Sequence, residues 1–371
     1  MSIRRVFVSD VHMSPGLSLG SLQGCYDWFN LDESLKFEKF LAYLIDDDSI
    51  QEVIFLGDIM DDWVYPIEIQ PPKYDKIANA THIIKIMANL RTLAQRKKGN
   101  ITYVMGNHDM TLIKGQFNNF RQSVFAGIKF QEFYETTDGI YAEHGHQYTM
   151  YNAVDPKHEL PLGHYISRLA ATIAQRKQRH YTSSDIEGRF SVVGNFEQDE
   201  KKFIGPKGLI QDPLVNAPLS FLANELGNVN SDTPITMVND GVITLREVRQ
   251  QYAQLGIDWI KRHGLLDGLR SIWREAVGLD GVASKIATKR SKKVVIFGHT
   301  HKKENSFVIP VGSVDPVAIY ANCGAWCLNI ELTYIIDEYD ESSETHTVTL
   351  KYWDKTAPDE VNKIQFSQKK M

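Results

Sequence analysis

Five short apolar runs, each ending at residues able to bind a metal or move a proton, limit most strongly what this chain can fold into. They are residues 6–8, 53–56, 101–105, 140–142 and 294–297, rich in Val, Ile, Phe and Tyr. Runs of this length, bounded by glycine or polar residues, read as buried core strands. Helical stripes lie between them. Phe37, Phe40, Leu41 and Leu44 keep the i, i+3, i+4, i+7 spacing, with Asp32 as the expected cap. Ile83, Ile86, Leu90 and Leu93 form a second stripe that stops at Gly99 and Asn100. Strands alternating with helices predict an α/β fold. Towards the end, the runs 318–320, 332–336 and 347–350 follow one another with few helices between, which predicts a second, more antiparallel sheet.

The alternation breaks between 155 and 290. Pro156 and Pro161 precede a stripe of Leu162, Ile166, Leu169 and Ile173, and Arg176, Lys177, Arg179 and His180 follow it. Asn239, Asp240 and Gly241 signal a turn, and Thr244 with Glu247 forms a capping box. Trp259, Leu266, Leu269 and Trp273 continue an apolar face. The expected organisation is a core in two parts, 1–154 and 291–371, interrupted by a mainly helical insertion at 155–290.

The chain has 371 residues, 43% hydrophobic and 23% charged, enough for one large core plus an inserted lobe. A net charge of -5 gives no strong signal for nucleic acid, whose phosphates select basic surfaces. Cys25, Cys323 and Cys327 contain no CxxC pair, so a reducing compartment fits better than a disulfide framework. The first apolar run is too short for a signal peptide, and no 18-residue uncharged apolar stretch occurs. A cytoplasmic location is expected.

The chemistry falls at the strand ends. Asp10 and His12 follow the first run, Gly57 and Asp58 the second, and Gly106, Asn107, His108 and Asp109 the third. His144, Gly145 and His146 follow the fourth, and Gly298, His299, Thr300 and His301 follow 294–297. In an open α/β sheet, ligands bind beyond the carboxyl ends of the strands, so all five groups are expected on one edge. Any one motif alone reads equally well as a polar turn; the set, in this order, does not. Carboxylates, imidazoles and one amide, with no cysteine among them, suit Mn, Fe, Zn, Ni or Co. One bridging carboxylate would let seven residues hold two ions about 3.5–4 Å apart, the arrangement used for in-line displacement at phosphorus.

These residues resemble the calcineurin-like metallophosphoesterase superfamily, whose pattern is D-x-H, G-D-x-x-[DE], G-N-[HR]-[DE], H-G, then G-H-x-H. Here it reads Asp10 to His12, Gly57 to Asp61, Gly106 to Asp109, His144 with Gly145, and Gly298 to His301. The resemblance implies a four-layer αββα sandwich and a pair of divalent metal ions, manganese first among the candidates. It implies that Asp10, His12, Asp58 and His301 hold one ion, that Asp58, Asn107, His144 and His299 hold the other, and that Asp58 bridges. His144 is preferred to His146 because it directly follows the strand, and His146 is expected just behind it. His108 is expected to stabilise phosphoryl charge and protonate the leaving group, with Asp109 fixing its tautomer.

Within the superfamily, Asp62 and Trp63 stand where phosphoprotein phosphatases carry Arg-Gly, and Asp109 stands where they carry Glu. The run from Gly57 to Trp63 is similar instead to the UDP-diacylglucosamine pyrophosphohydrolases. Two departures stand out: His108 replaces an Arg, and His144 and His299 lie 155 positions apart. The resemblance implies hydrolysis of a phosphodiester or pyrophosphate in a phosphorylated small molecule or lipid-linked nucleotide. A phosphomonoesterase, a nuclease and a metal-bound scaffold without turnover are the alternatives. The stripe from Leu162 to Ile173 with its basic end reads either as a peripheral contact to an anionic inner membrane surface or as a cap packed over the site. Lys289, Arg290, Lys292 and Lys293 read either as a guide for anionic substrates or as a solvated loop. Trp63, Trp259 and Trp273 read either as the lining of a pocket for a base or acyl chain or, by default, as buried core.

Overall fold

The computed structural model describes residues 2–15, 28–154, 157–177, 211–272, 274, 278–309, 315–327, 331–354 and 357–367. Cys25, Arg179, His180, Pro156 and Trp273 lie outside the described residues.

Two sheets face each other. The first has seven strands. Its parallel half is β1 (Ser2–Val8), β2 (Glu52–Leu56), β3 (Ile101–Val104) and β4 (Lys129–Gln131). Beyond β1 it continues antiparallel. The second sheet has five strands. It contains β5 (Tyr134–Glu135), β6 (Ile140–Ala142), β9 (Val294–Phe297), β10 (Lys303–Val308) and β11 (Ala318–Cys323). In it β9 runs parallel to both β6 and β11. The antiparallel strands of the first sheet are β12 (Thr333–Asp340), β13 (Thr345–Asp354) and β14 (Ala357–Ser367). The expected separate antiparallel sheet of the tail is therefore not what forms. A free antiparallel sheet would expose β12 as an edge, and pairing it with β1 covers that edge.

Helices cover both outer faces. On the first sheet lie α1 (Leu31–Asp46) and α3 (Ile84–Arg96), with the short α2 (Tyr74–Ala78) and α4 (Asn118–Val124) beside them. The period-two alternation of β1 splits its side chains. Val6 and Val8 pack under Phe37, Phe40 and Leu90, while Phe7 faces Ile140, Val294 and Ile319 of the other sheet. On the far face, Val282, Ala283 and Ile286 of the last helix pack on Val295, Phe297 and Tyr320. The layers are thus helix, sheet, sheet, helix, the αββα sandwich. Asn30, not Asp32, caps α1: its side chain accepts from Asp32 and Glu33, and Glu33 returns a bond to the Asn30 backbone. Asp32 instead pairs with Lys36 one turn along.

Between β6 and β9 the chain makes a lobe of α5 (Leu162–Lys177), α6 (Gln211–Leu226), a hairpin of β7 (Pro234–Thr236) and β8 (Val242–Thr244), then α7 (Leu245–Gln251), α8 (Leu255–His263) and α9 (Leu265–Arg270), and it returns to the core through α10 (Asp280–Arg290), the helix on the outer face of the second sheet. The Thr244 capping box forms as expected. Leu162, Ile166, Leu169 and Ile173 are buried against Leu214, Val215, Leu219 and Tyr252. That stripe is therefore lobe core and offers no apolar face to a membrane. Leu266, expected on an apolar face, is exposed, whereas Trp259 is buried. No helix among the described residues is long and apolar enough to cross a membrane.

Candidate metal centre

The loops after β1 and β2 run side by side, joined by backbone bonds from Asp10 N to the Gly57 carbonyl (3.1 Å), His12 N to the Asp58 carbonyl (2.8 Å) and Met13 N to the Ile59 carbonyl (2.9 Å). The second sheet closes on them. Gly298 N donates to the His144 carbonyl (3.0 Å), and His299 N donates to the Asp10 carboxylate (3.0 Å to Oδ2). His108 N donates to Asp58 Oδ1 (2.8 Å). All five groups meet at one edge, though they come from two sheets rather than one.

The approach is close enough to dictate residue type. Gly57 holds φ +86°, and a Cβ there would lie 2.5 Å from His144 Nδ1. At Gly106 a Cβ would overlap the Asp58 carboxylate. Asp10, His12, Asp58, His299 and His301 also hold φ between 53 and 69°, and they are five of the nine non-glycine residues with positive φ among the described residues. Such backbone costs about 1–3 kcal/mol per residue and persists where the surroundings over-determine it, most often at functional sites.

The donor atoms form two groups sharing Asp58. In one, His12 Nε2 lies 3.1 Å from His301 Nε2 and 3.9 Å from both Asp10 Oδ1 and Asp58 Oδ2, and His301 Nε2 lies 3.3 Å from Asp10 Oδ1. In the other, His144 Nε2 lies 3.1 Å from Asp58 Oδ2, with His299 in the same cluster. Asn107 stands on the neighbouring loop, its Oδ1 buried and without a hydrogen-bond partner. Donors bound at about 2.0–2.2 Å to one ion sit about 3–4 Å apart, so these separations fit. The outer ring nitrogens are anchored in the manner of metal-ligating histidines. His12 Nδ1 faces Asp61 Oδ2 at 2.9 Å, His144 Nδ1 donates to the Leu56 carbonyl at 2.8 Å, and Thr149 Oγ1 contacts His299 Nε2 at 3.1 Å.

The electrostatics ask for cations. Asp10, Asp58 and Asp61 are buried, and among the described residues their ion-pair partners are histidines only. Burial alone would raise the Asp58 pKa, but His144, His108 and His12 hold it well below the usual carboxylate range. Burial alone would lower His144, but Asp58 and Asp10 push it up to about 10. His108 behaves likewise: Asp61 and Asp58 outweigh burial and raise it to about 9. Imidazoles that cling to protons beside ionised carboxylates mark a strongly negative pocket, which divalent ions would neutralise.

Asp109 does not orient His108. Its carboxylate accepts from Gly106 N (2.8 Å), Ile59 N (2.9 Å) and Tyr103 Oη (2.6 Å), so it clamps the β3 loop to the β2 loop. Burial and the Asp58 charge raise its pKa to about 6. The carboxylate beside His108 is Asp61, with Oδ1 3.0 Å from Nδ1. Asp61 thus touches both His12 and His108. Trp63 stacks on the His108 ring, centroids 4.5 Å apart, while Trp259 sits in the lobe core with Nε1 on Ser271 Oγ (2.6 Å). His146 stays out of both donor groups, its ring 5.5 Å from His144. The basic run does not face the site. It lies at the start of β9, where Lys292 pairs with Glu135 (2.6 Å) and Arg290 lies over the Tyr141 ring, while the ligands follow the end of that strand.

Two neighbours of the site escaped the sequence reading. His164, on α5, is buried with its ring 5.3 Å from Trp63. Cys327 lies with His12 and His301 in a cluster whose ligand atoms are within 4.8 Å of one another. Neither carries a strand-end spacing that would have singled it out.

Residues 3–165 match the family model described as calcineurin-like phosphoesterase. No curated protein matches the chain. Among solved structures, Vps29 from Entamoeba histolytica aligns at 12% identity and TM-score 0.34, covering 98% of this chain and 100% of that one. Vacuolar protein sorting 29 from Cryptosporidium parvum aligns at 11% identity and TM-score 0.34, covering 99% of each chain. At such TM-scores these likenesses carry no weight for fold or function. What the family model and the strand-end residues share is a likeness to the calcineurin-like phosphoesterases, matched over residues 3–165.

Proposed function

We propose that the protein is a metal-dependent phosphoesterase that hydrolyses a phosphodiester or pyrophosphate bond. The observation that carries this is the pair of buried donor groups joined at Asp58, built on strained backbone. Asp10, His12, Asp58 and His301 would hold one divalent ion, and Asp58, Asn107, His144 and His299 the second. When bound, such a pair supplies Lewis acidity, draws a nucleophile from water at neutral pH and offsets phosphoryl charge.

The rest falls to the chain. Asp61 faces Nδ1 of His108, which leaves Nε2 as the atom that donates to a phosphoryl or leaving oxygen. Trp63 covers one face of that ring and holds its plane. Within residues 155–290, the lobe from α5 to α9 acts as a cap on the core formed by 1–154 and 291–371, and it reaches the site where His164 meets Trp63. The Asp61, Asp62, Trp63 run supports a substrate such as a lipid-linked nucleotide, UDP-diacylglucosamine among them. The test compares bis(p-nitrophenyl) phosphate, p-nitrophenyl phosphate and UDP-linked pyrophosphates with added Mn. Diester or pyrophosphate is expected to be preferred over monoester, and Asp58→Ala to abolish both turnover and metal retention. A rate unchanged by Asp58→Ala would refute the assignment.

A further inference from the structure

The cluster of His12, His301 and Cys327 does not reduce to the oxygen and nitrogen set above. Cys327 follows β11 through a turn that the fold defines tightly. Gly324 takes φ +72°, with its N–H on Asn322 Oδ1 (3.1 Å), and Ala325 bridges to Leu332. Trp326 N then donates to the Asp10 carbonyl (2.9 Å), and its Nε1 donates to the Thr333 carbonyl (2.7 Å). One residue later the Cys327 side chain is fully buried, with its sulfur within 4.8 Å of ring nitrogens of both His12 and His301.

A buried thiol is ordinarily an apolar filler, and Cys327 does belong to the apolar cluster that contains Trp28 and Trp63. Its other neighbours argue for more. His12 Nδ1 is turned to Asp61, so Nε2 is the atom with a lone pair for an ion, and it lies 3.1 Å from His301 Nε2. Two imidazole nitrogens and a sulfur gathered beside Asp10 and Asp58 make a borderline-soft donor set.

We propose that Cys327 is a further ligand, through sulfur, of the ion held by Asp10, His12, Asp58 and His301. This rests on the two-ion reading above. On ligation the S–H proton passes to solvent, and the sulfur lone pair forms the bond to the ion. The two metal positions then differ in kind. The first, with sulfur, favours zinc, cobalt or ferrous iron. The second, with the Asp58 carboxylate, Asn107 and imidazoles but no sulfur, accepts manganese.

The experiment loads full-length wild-type protein, Cys327→Ser and Cys323→Ser with cobalt(II) and records absorption during titration. Wild type and Cys323→Ser are expected to show a sulfur-to-cobalt charge-transfer band that Cys327→Ser lacks. Competition against a chromophoric chelator should show zinc bound at least about tenfold more weakly by Cys327→Ser, with manganese affinity unchanged. X-ray absorption at the zinc edge of the wild type needs no variant, and should show a Zn–S distance of about 2.3 Å. Cobalt bound with the same spectrum in wild type and Cys327→Ser, or zinc bound without sulfur scattering, overturns the sulfur ligand and leaves the two-ion reading standing. Failure to bind any cobalt or zinc overturns both.

Discussion

His108 is held by contacts that the motif does not spell out. Asp61 lies at Nδ1, Trp63 stacks on one face, and the His12 ring meets it edge-on, centroids 4.6 Å apart. A ring so fixed presents one proton in one direction. His108→Gln is therefore expected to lower kcat about 10²–10⁴-fold for a substrate with a basic leaving oxygen. The loss should be much smaller for a p-nitrophenyl ester, whose leaving group departs without a proton. Equal losses on both, read from steady-state rates, would mean that His108 acts through charge alone. The motif made His108 legible, but not its partner. Asp109 adjoins it in sequence, yet three donors occupy the Asp109 carboxylate, and Asp61 arrives from the neighbouring loop.

Several hydrogen bonds join the inserted lobe to the core, and one side chain of α5 makes a group of them. Arg168 is fully buried and donates to the carbonyls of Tyr65, Pro66, Ile69 and Thr236. This ties α5 and β7 to the segment that follows Trp63. Arg168→Met would leave four carbonyls without their donor, at about 1–3 kcal/mol for each that finds no replacement. Denaturant unfolding should show a loss of roughly 3 kcal/mol or more, and kcat/KM should fall as Trp63 shifts, with metal content unchanged. A variant as stable as wild type would show that the cap is held by its apolar packing instead. The apolar stripe of α5 was visible in the sequence. Which surface it buried was not, because membrane-facing and cap-packing helices share one periodicity.

The two sheets together concentrate negative charge at one edge, and this makes the fold respond to pH and metal jointly. In the metal-free protein the pKa of His144 is pushed up to about 10 and that of His108 to about 9. Both lie above the ordinary imidazole value of about 6.5. The folded state therefore holds these protons more tightly than the unfolded one. The resulting stability is complete below about pH 6.5 and is lost as pH rises through about 9 to 10. Bound ions would take the place of the protons, so metal binding should release protons and strengthen with pH. Thermal unfolding of chelator-treated protein is expected to show Tm falling over this range, while the metal-loaded protein does not follow. Parallel curves would argue against ions at the carboxylates.

The sequence by itself determined eight of the strands, the α/β class and the strand-end positions of Asp10, His12, Asp58, Asn107, His144, His299 and His301, because apolar runs and the polar residues ending them are local features. Only the tertiary structure decided that β12 to β14 extend the first sheet, that Asp61 rather than Asp109 faces His108, and that Cys327 reaches His12 and His301. Each of these depends on which segments, tens to hundreds of residues apart, bury surface against one another, and no local spacing carries that information.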